Sequence, residues 1–332
     1  MIICDQHTLS QEGLEIVNRI GKREITHVFH DIDGTHSLIR QWHPVMSVTL
    51  EYTILEGLKE GYDSPENTAM LIARSTEPHL EETDRFCTES AGLSALTQME
   101  WAIRRAIEEK TIDLGLDRQA MQTNSEIIQR IWQGEETFDT FWEPAPVKDY
   151  LKEHTPRLFR LYEKILNGAC RDRNLATALE NPETMRVKGS LAFMKRLKDL
   201  GVKNYFVTGA VIDYDAAGNP YGGMYEEVLG VGFEIGPGKD VEALYGSTWD
   251  KKKPKIDVMY DICRGQNLDL SKVMIVGDGR SEIEAGVKMG AVTVSRLDAD
   301  AGRQIQIHKQ LGTNMIITDY TSKDFLDMFF AS

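Results

Sequence analysis

Short apolar runs bounded by glycine or acidic residues recur along the chain at ITHVFH (residues 25–30), KNYFVTG (203–209), VMIVGDG (273–279), AVTVS (291–295) and MIITD (315–319). Runs of this kind predict buried strands. Segments of helical character lie between the second and third runs and after the third. That alternation predicts an α/β fold with a doubly wound, mainly parallel sheet covered by helices on both faces. One covering helix is specified in SLAFMKRLKDLG, where Leu191, Met194, Leu197 and Leu200 fall on one stripe and Gly201 follows where a left-handed helix end is easiest.

From about residue 40 to 185 the pattern changes to long helical stretches such as SALTQMEWAIRRAIEEK and PRLFRLYEKILNGACRDR, with almost no strand-like run. This predicts a large inserted all-helical domain over 40–185, interrupting a core built from 1–39 and 186–332. The insertion shows no internal repeat and no low-complexity segment.

Composition adds limits on partners and compartment. At 332 residues and 41% hydrophobic content the chain can bury a sizeable core without a special staple. Its formal charge of −14, from 38 Lys plus Arg against 52 Asp plus Glu, repels a phosphate backbone and argues against nucleic acid as a partner. A small phosphorylated substrate stays compatible, because a focused cationic site or a bound metal overrides the net field locally. Cys4, Cys87, Cys170 and Cys263 stand far apart and form no CxxC pair. That gives neither a zinc cluster nor a disulfide framework and fits a reducing cytoplasm. The first residues lack the basic start and long apolar stretch of a signal peptide, and no apolar run reaches about 18 residues, so no membrane association is expected.

The chemistry concentrates at strand ends. HDIDGT (residues 30–35) sits at the carboxyl end of the first apolar run, with Asp31 and Asp33 separated by one residue. Strand geometry sends both carboxylates toward one side, and Gly34 lets the chain leave the sheet sharply. Ligands of open parallel sheets collect beyond this edge. Thr208 with Gly209, and Asp278 with Gly279, end two further strands at the same edge. Several carboxylates together need a cation, and oxygen ligands suit magnesium. A lysine in WDKKKPKID supplies a charge able to neutralise a carboxylate and a phosphoryl group.

Other patterns give ordinary readings. In GVGFEIGPGKD, Phe233 and Asp240 stand where a phosphate-binding P-loop needs Gly and Ser or Thr. TESAGL carries Thr88 where a nucleophile elbow needs Gly, which leaves Ser90 ordinary. The spacing of His30, His36 and His43 matches no zinc pattern and points to local packing or substrate contact. Arg40, Arg157, Arg160, Arg171 and Arg173 could reach a substrate from the inserted block, but on helices they read more often as solvated positions.

Taken together, the ordered motifs resemble those of the haloacid dehalogenase (HAD) superfamily of hydrolases: DIDGT with Asp31 and Asp33, VTG with Thr208, Lys253-Pro254, and GDGRSE with Asp278 and Glu282. The resemblance covers roughly residues 25–35 and 186–332, and the helical block matches the position of that family's first type of cap domain. It implies that Asp31 is a nucleophile forming an aspartyl-phosphate and that Asp33 is the general acid and base. It also implies that Thr208, Gly209 and Lys253 hold the phosphoryl group, with Lys253 neutralising Asp31. Magnesium is implied at Asp31, the backbone carbonyl of Asp33, Asp278 and Glu282, where the family usually carries Asp at the last position. Asp33 points to phosphate esters and away from dehalogenation or phosphonate cleavage. The expected function is therefore a magnesium-dependent phosphatase of a small phosphorylated metabolite. A sugar-phosphate mutase with the same nucleophile is one alternative, and a non-catalytic binding protein on the same fold is another.

Overall fold

The structure, a computed structural model, describes residues 2–4, 10–11, 13–138, 143–249 and 252–330. It divides into two compact units: Met1–Arg40 with Arg173–Thr248 and Lys253–Ser332, and Gln41–Asp172 with Trp249–Lys252. The strands lie in the first unit: β1 (Ile2–Cys4), β2 (Ser10–Gln11), β3 (Leu14–Ile16), β4 (Lys22–Glu24), β5 (His27–His30), β6 (Lys203–Val211), β7 (Asp213–Tyr214), β8 (Pro220–Tyr221), β9 (Ala243–Ser247), β10 (Val273–Gly277), β11 (Val292–Arg296) and β12 (Met315–Ile317). Helices α1 (Trp42–Glu56), α2 (Pro65–Arg74), α3 (Glu81–Glu89), α4 (Ala95–Glu108), α5 (Arg118–Trp132) and α6 (Ala145–Leu166) build the second unit. Helices α7 (Asp172–Glu180, beyond its first residue), α8 (Ser190–Asp199), α9 (Gly223–Gly230), α10 (Lys255–Gly265), α11 (Arg280–Met289), α12 (Gly302–Leu311) and α13 (Lys323–Phe330) belong to the first.

The main sheet runs β2-β3-β12-β11-β10-β5-β6-β9. From β12 to β9 every neighbouring pair is parallel, while β3 and β2 add an antiparallel edge. The five apolar runs became β5, β6, β10, β11 and β12, side by side. Successive strand residues point to opposite faces, and here both faces are covered. Val28, Met274, Val276, Val292 and Val294 meet Phe193 and Leu197 of α8 and Phe325, Met328 and Phe329 of α13. Phe29, Val273 and Ile275 meet Val258, Met259 and Ile262 of α10 and Met289 of α11. The expected doubly wound, mainly parallel sheet is what the chain forms.

Three details depart from the sequence pattern. The sheet gains β9, whose apolar stretch Ala243–Tyr245 is cut short by Gly246; a Cβ at Gly246 would lie 2.6 Å from the Ala210 carbonyl, so strand packing explains the glycine. The α8 stripe is Phe193, Met194 and Leu197, not Leu200, which stands exposed at the helix end before left-handed Gly201. Residues 173–185, expected in the insertion, join the first unit. Ala178 packs with Ile32, Ile39, Met224 and Val228, and the Asn174 amide donates to the Ile39 carbonyl at 2.9 Å.

In the second unit α4 is the buried element, with Met99, Trp101, Ala102, Ile103 and Ala106 inaccessible. Trp101 stacks on Phe86 at 3.8 Å and meets Trp132 edge-on. Among the described residues no helix is long and apolar enough to cross a membrane.

Candidate active site

The site begins where β5 ends. Asp31 continues the strand pairing for one residue, its N–H donating to the Val276 carbonyl at 2.9 Å. The chain then curls: the amides of His36 and Ser37 both donate to the Ile32 carbonyl, and the Gly34 amide donates to the Ser37 carbonyl. Gly34 sits at φ +74, and a Cβ there would lie 2.0 Å from Asp278 Oδ2. The tight turn thus serves a second purpose, leaving room for the carboxylate arriving from β10. The Thr35 hydroxyl donates to Asp278 Oδ1 at 3.0 Å, and Arg296 Nη1 donates to the Gly34 carbonyl at 2.9 Å.

Register brings the other strand ends to the same level. His30 pairs with Val276 on one side and Phe206 on the other, so Asp278 and Thr208 each stand two residues beyond that line. Thr208 is buried, and its hydroxyl accepts from the Ala210 amide at 3.1 Å. Gly209 follows it within β6.

The lysine differs from the one the Lys-Pro pattern indicates. Lys253 is exposed, with its backbone amide on Ser247 Oγ. Lys255, the first residue of α10, is buried, and its Nζ donates to Asp31 Oδ1 at 2.7 Å and to Glu282 Oε2 at 3.1 Å. Pro254 precedes the helix and turns the next residue inward, whereas Lys253 lies on the loop before the turn. Glu282 is fully engaged: Oε1 takes the Gly279 amide at 2.6 Å, and Oε2 takes Lys255 and the Ser281 hydroxyl. Its geometry is that of a helix-capping carboxylate that also anchors the lysine.

Carboxylate oxygens of Asp31, Asp278 and Glu282 lie within 4.8 Å of one another. Burial pushes Asp31 up to about 6, against the pull of Lys255. Burial, reinforced by the charges of Asp31 and Glu282, holds Asp278 well above the usual carboxylate range. Burial works against ionised Glu282 as well, yet Lys255 and the Gly279 amide keep it below its ordinary value. For Lys255, the two carboxylates outweigh burial and keep the ammonium charged beyond its ordinary range. Two buried carboxyl groups and a half-buried one crowd a single ammonium, and an all-oxygen donor set of this kind fits magnesium.

Asp33 stands apart from that cluster. Its Oδ1 is buried without a hydrogen-bond partner among the described residues. Burial, only partly offset by Arg40 and reinforced by Glu227 and Asp31, pushes the carboxyl up to about 8. Arg40 is not a solvated helix position: it is buried in the first unit, its Nε donating to both carboxylate oxygens of Glu227 on α9. The Gly-rich segment after Thr208 explains this pair. It folds as the β7–β8 hairpin and delivers α9 with Met224, Glu227 and Val228 against Ile32 and Ile39.

Of the three histidines, His30 and His36 are buried together, while His43 belongs to the second unit, bonded to Thr88 Oγ1 at 3.1 Å. Ser90 is buried and accepts from the Gln98 amide. Phe233 fills the core beside Phe206, so the glycine-rich loop around it is structural. Arg157 pairs with Asp63, and Arg160 lies over the Trp249 ring.

No protein-family model matches the chain, and no curated protein matches it by sequence. Among solved structures it is similar to a β-phosphoglucomutase from Clostridium difficile, at 9% identity over 91% of this chain and 96% of that one, with a TM-score of 0.47. It is similar also to a predicted phosphatase from Clostridium acetobutylicum (13% identity, 92% and 98% covered, TM-score 0.43). A phosphonoacetaldehyde hydrolase-like protein from Oleispira antarctica shows 14% identity, with 92% of each chain covered and a TM-score of 0.46. At this identity and overlap, the reading of the site rests on its own geometry.

Proposed function

We propose that this chain is a phosphatase of the haloacid dehalogenase type that hydrolyses a small phosphorylated metabolite through an aspartyl-phosphate on Asp31. The observation that carries the reading is the pairing of unlike carboxyls at one sheet edge. Asp31 is held by Lys255, and two residues on, Asp33 keeps a buried oxygen without a partner among the described residues and an elevated pKa.

A carboxylate oxygen of Asp31 attacks phosphorus as the bond to the leaving alkoxide breaks. Asp33, protonated by virtue of its raised pKa, gives its proton to that oxygen. Its carboxylate then takes a proton from water, whose oxygen attacks phosphorus and releases phosphate and Asp31. Lys255 orients Asp31 and offsets its charge against an anionic substrate, and Glu282 fixes Lys255. Thr208 and neighbouring backbone amides bind phosphoryl oxygens. Asp31, Asp278 and the backbone carbonyl of Asp33 would hold magnesium; with both its oxygens engaged, Glu282 serves Lys255 in this reading. A cation held by them would offset the negative charge of the carboxylates and of an anionic substrate.

The test is phosphate release from a panel of phosphorylated metabolites with magnesium, comparing the wild-type chain with Asp31→Asn. Turnover by the wild type on at least one metabolite and none by the variant is expected. Turnover by Asp31→Asn within tenfold of wild type rules the assignment out.

A further inference from the structure

The residues immediately flanking the catalytic loop are bonded to each other. His30 is the last residue of β5 and His36 follows Thr35; both are buried. Their hydrogen bonds leave one consistent arrangement of protons. The Asn204 amide nitrogen faces two backbone carbonyls, of Met194 at 3.2 Å and Asp240 at 3.0 Å. Carbonyls only accept, so Asn204 turns its Oδ1 to His30 Nε2 at 3.2 Å, and that ring nitrogen carries the hydrogen.

Two ring nitrogens 3.0 Å apart need one hydrogen and one lone pair between them; with its hydrogen on Nε2, His30 offers the lone pair of Nδ1, and His36 Nε2 donates to it. His36 Nδ1 is then an acceptor in turn, filled by the Ser190 hydroxyl at 2.7 Å. Tyr320 completes the surround: its ring stacks on His36 with centroids 5.0 Å apart, and its hydroxyl donates to the Thr35 carbonyl at 3.0 Å. Thr35 in turn reaches Asp278 through its side chain.

We propose that His36, clasped between Ser190 and His30, is a positioning residue that sets the loop Asp31–Thr35 for phosphoryl transfer. An apolar pair would fill the same space without the desolvation cost of burying two imidazoles. What the imidazoles add is direction. The clasp ties both ends of the loop to β6 through Asn204, to α8 through Ser190, and to the segment after β12 through Tyr320. Displacement of reacting groups by about 1 Å costs on the order of a hundredfold in rate, so a loop that carries nucleophile, acid and the Asp278 contact gains from being closed at its base.

The inference rests on the phosphatase reading, and two measurements separate their failures. In the full-length chain labelled with nitrogen-15 at histidine, long-range proton–nitrogen spectra at neutral pH are expected to show His30 and His36 both as Nε2–H tautomers, assigned through His30→Phe and His36→Phe. An Nδ1–H tautomer at either position overturns the clasp. With para-nitrophenyl phosphate and magnesium, His36→Phe is expected to lower kcat by roughly ten- to a hundredfold with KM within about twofold. His36→Gln, which retains a donor at the Nε2 position, restores most of the rate, although Phe packs the apolar side of the site better and gives the higher Tm. Activity that instead follows Tm across the two variants, or His36→Phe within threefold of wild type, overturns the positioning role. Absence of turnover by the wild type on every phosphate ester defeats the phosphatase reading and leaves the tautomers to decide the clasp.

Discussion

Lys253 and Lys255 differ in how the start of α10 aims them. One carries its charge into solvent; the other stands 2.7 Å from Asp31. Lys255→Met is expected to lower kcat/KM by at least about a hundredfold, the scale of losing one preorganised charge at a reacting centre. Lys253→Ala is expected to stay within about threefold, and steady-state kinetics on one substrate compares the two. The distinction was not legible in the sequence, where four lysines within five residues look alike until the helix start is known. The motif spacing pointed to the strand ends, and Asp31 and Asp278 come together there, with Asp33 apart from them on the same turn; the lysine needed burial to identify it.

Asp33 gives a pH prediction with a definite sign. Burial raises its carboxyl to about 8, so the acid form persists through neutrality. The kcat/KM for an alkyl phosphate, whose leaving oxygen needs a proton, should fall roughly tenfold per pH unit above that value. A profile flat from pH 7 to 10 would exclude Asp33 as the acid. The same shift affects folding: the native chain keeps a proton that the unfolded chain has lost above its ordinary pKa. Asp33 thus contributes stability that is full at acid pH and lost as pH rises through about 8. Asp33→Asn should flatten that dependence in a series of denaturant titrations.

At the scale of elements, two glycines mark where strands hand over to the site. Gly34 combines φ +74 with a would-be Cβ 2.0 Å from Asp278 Oδ2, and Gly277 has one 2.2 Å from Glu282 Cγ. Gly34→Ala is expected to cost about 1–2 kcal/mol from the left-handed backbone alone and to displace Asp278 as well. Denaturant unfolding measures the first effect, and a raised magnesium requirement reports the second. Five strands were legible because continuous apolar runs are the signature of burial on both faces. β9 was not, because Gly246 interrupts its run for the sake of a backbone contact. Residues 173–185 read as part of the insertion because α7 looks like any amphipathic helix; only its partners, Ile32, Ile39 and Met224, assign it to the sheet-bearing unit. The Arg40–Glu227 pair was hidden for the same reason, its halves being 187 residues apart.

For the whole molecule, the proposed action on a phosphorylated compound requires a chain of net charge −14 to overcome repulsion locally. Lys255 is shared between two carboxylates and cannot do this alone. Chelation should therefore abolish turnover, and added magnesium should restore it; full activity in excess chelator would remove the metal from the account. The nucleophile can be caught by quenching a single turnover in acid and mapping the phosphoryl group by mass spectrometry of the digested chain. A transient phosphoryl group is expected on the peptide carrying Asp31, absent from Asp31→Asn, with the group leaving as free phosphate. A phosphoryl group on another residue, or turnover with none on the protein at any quench time, would contradict Asp31 as the nucleophile.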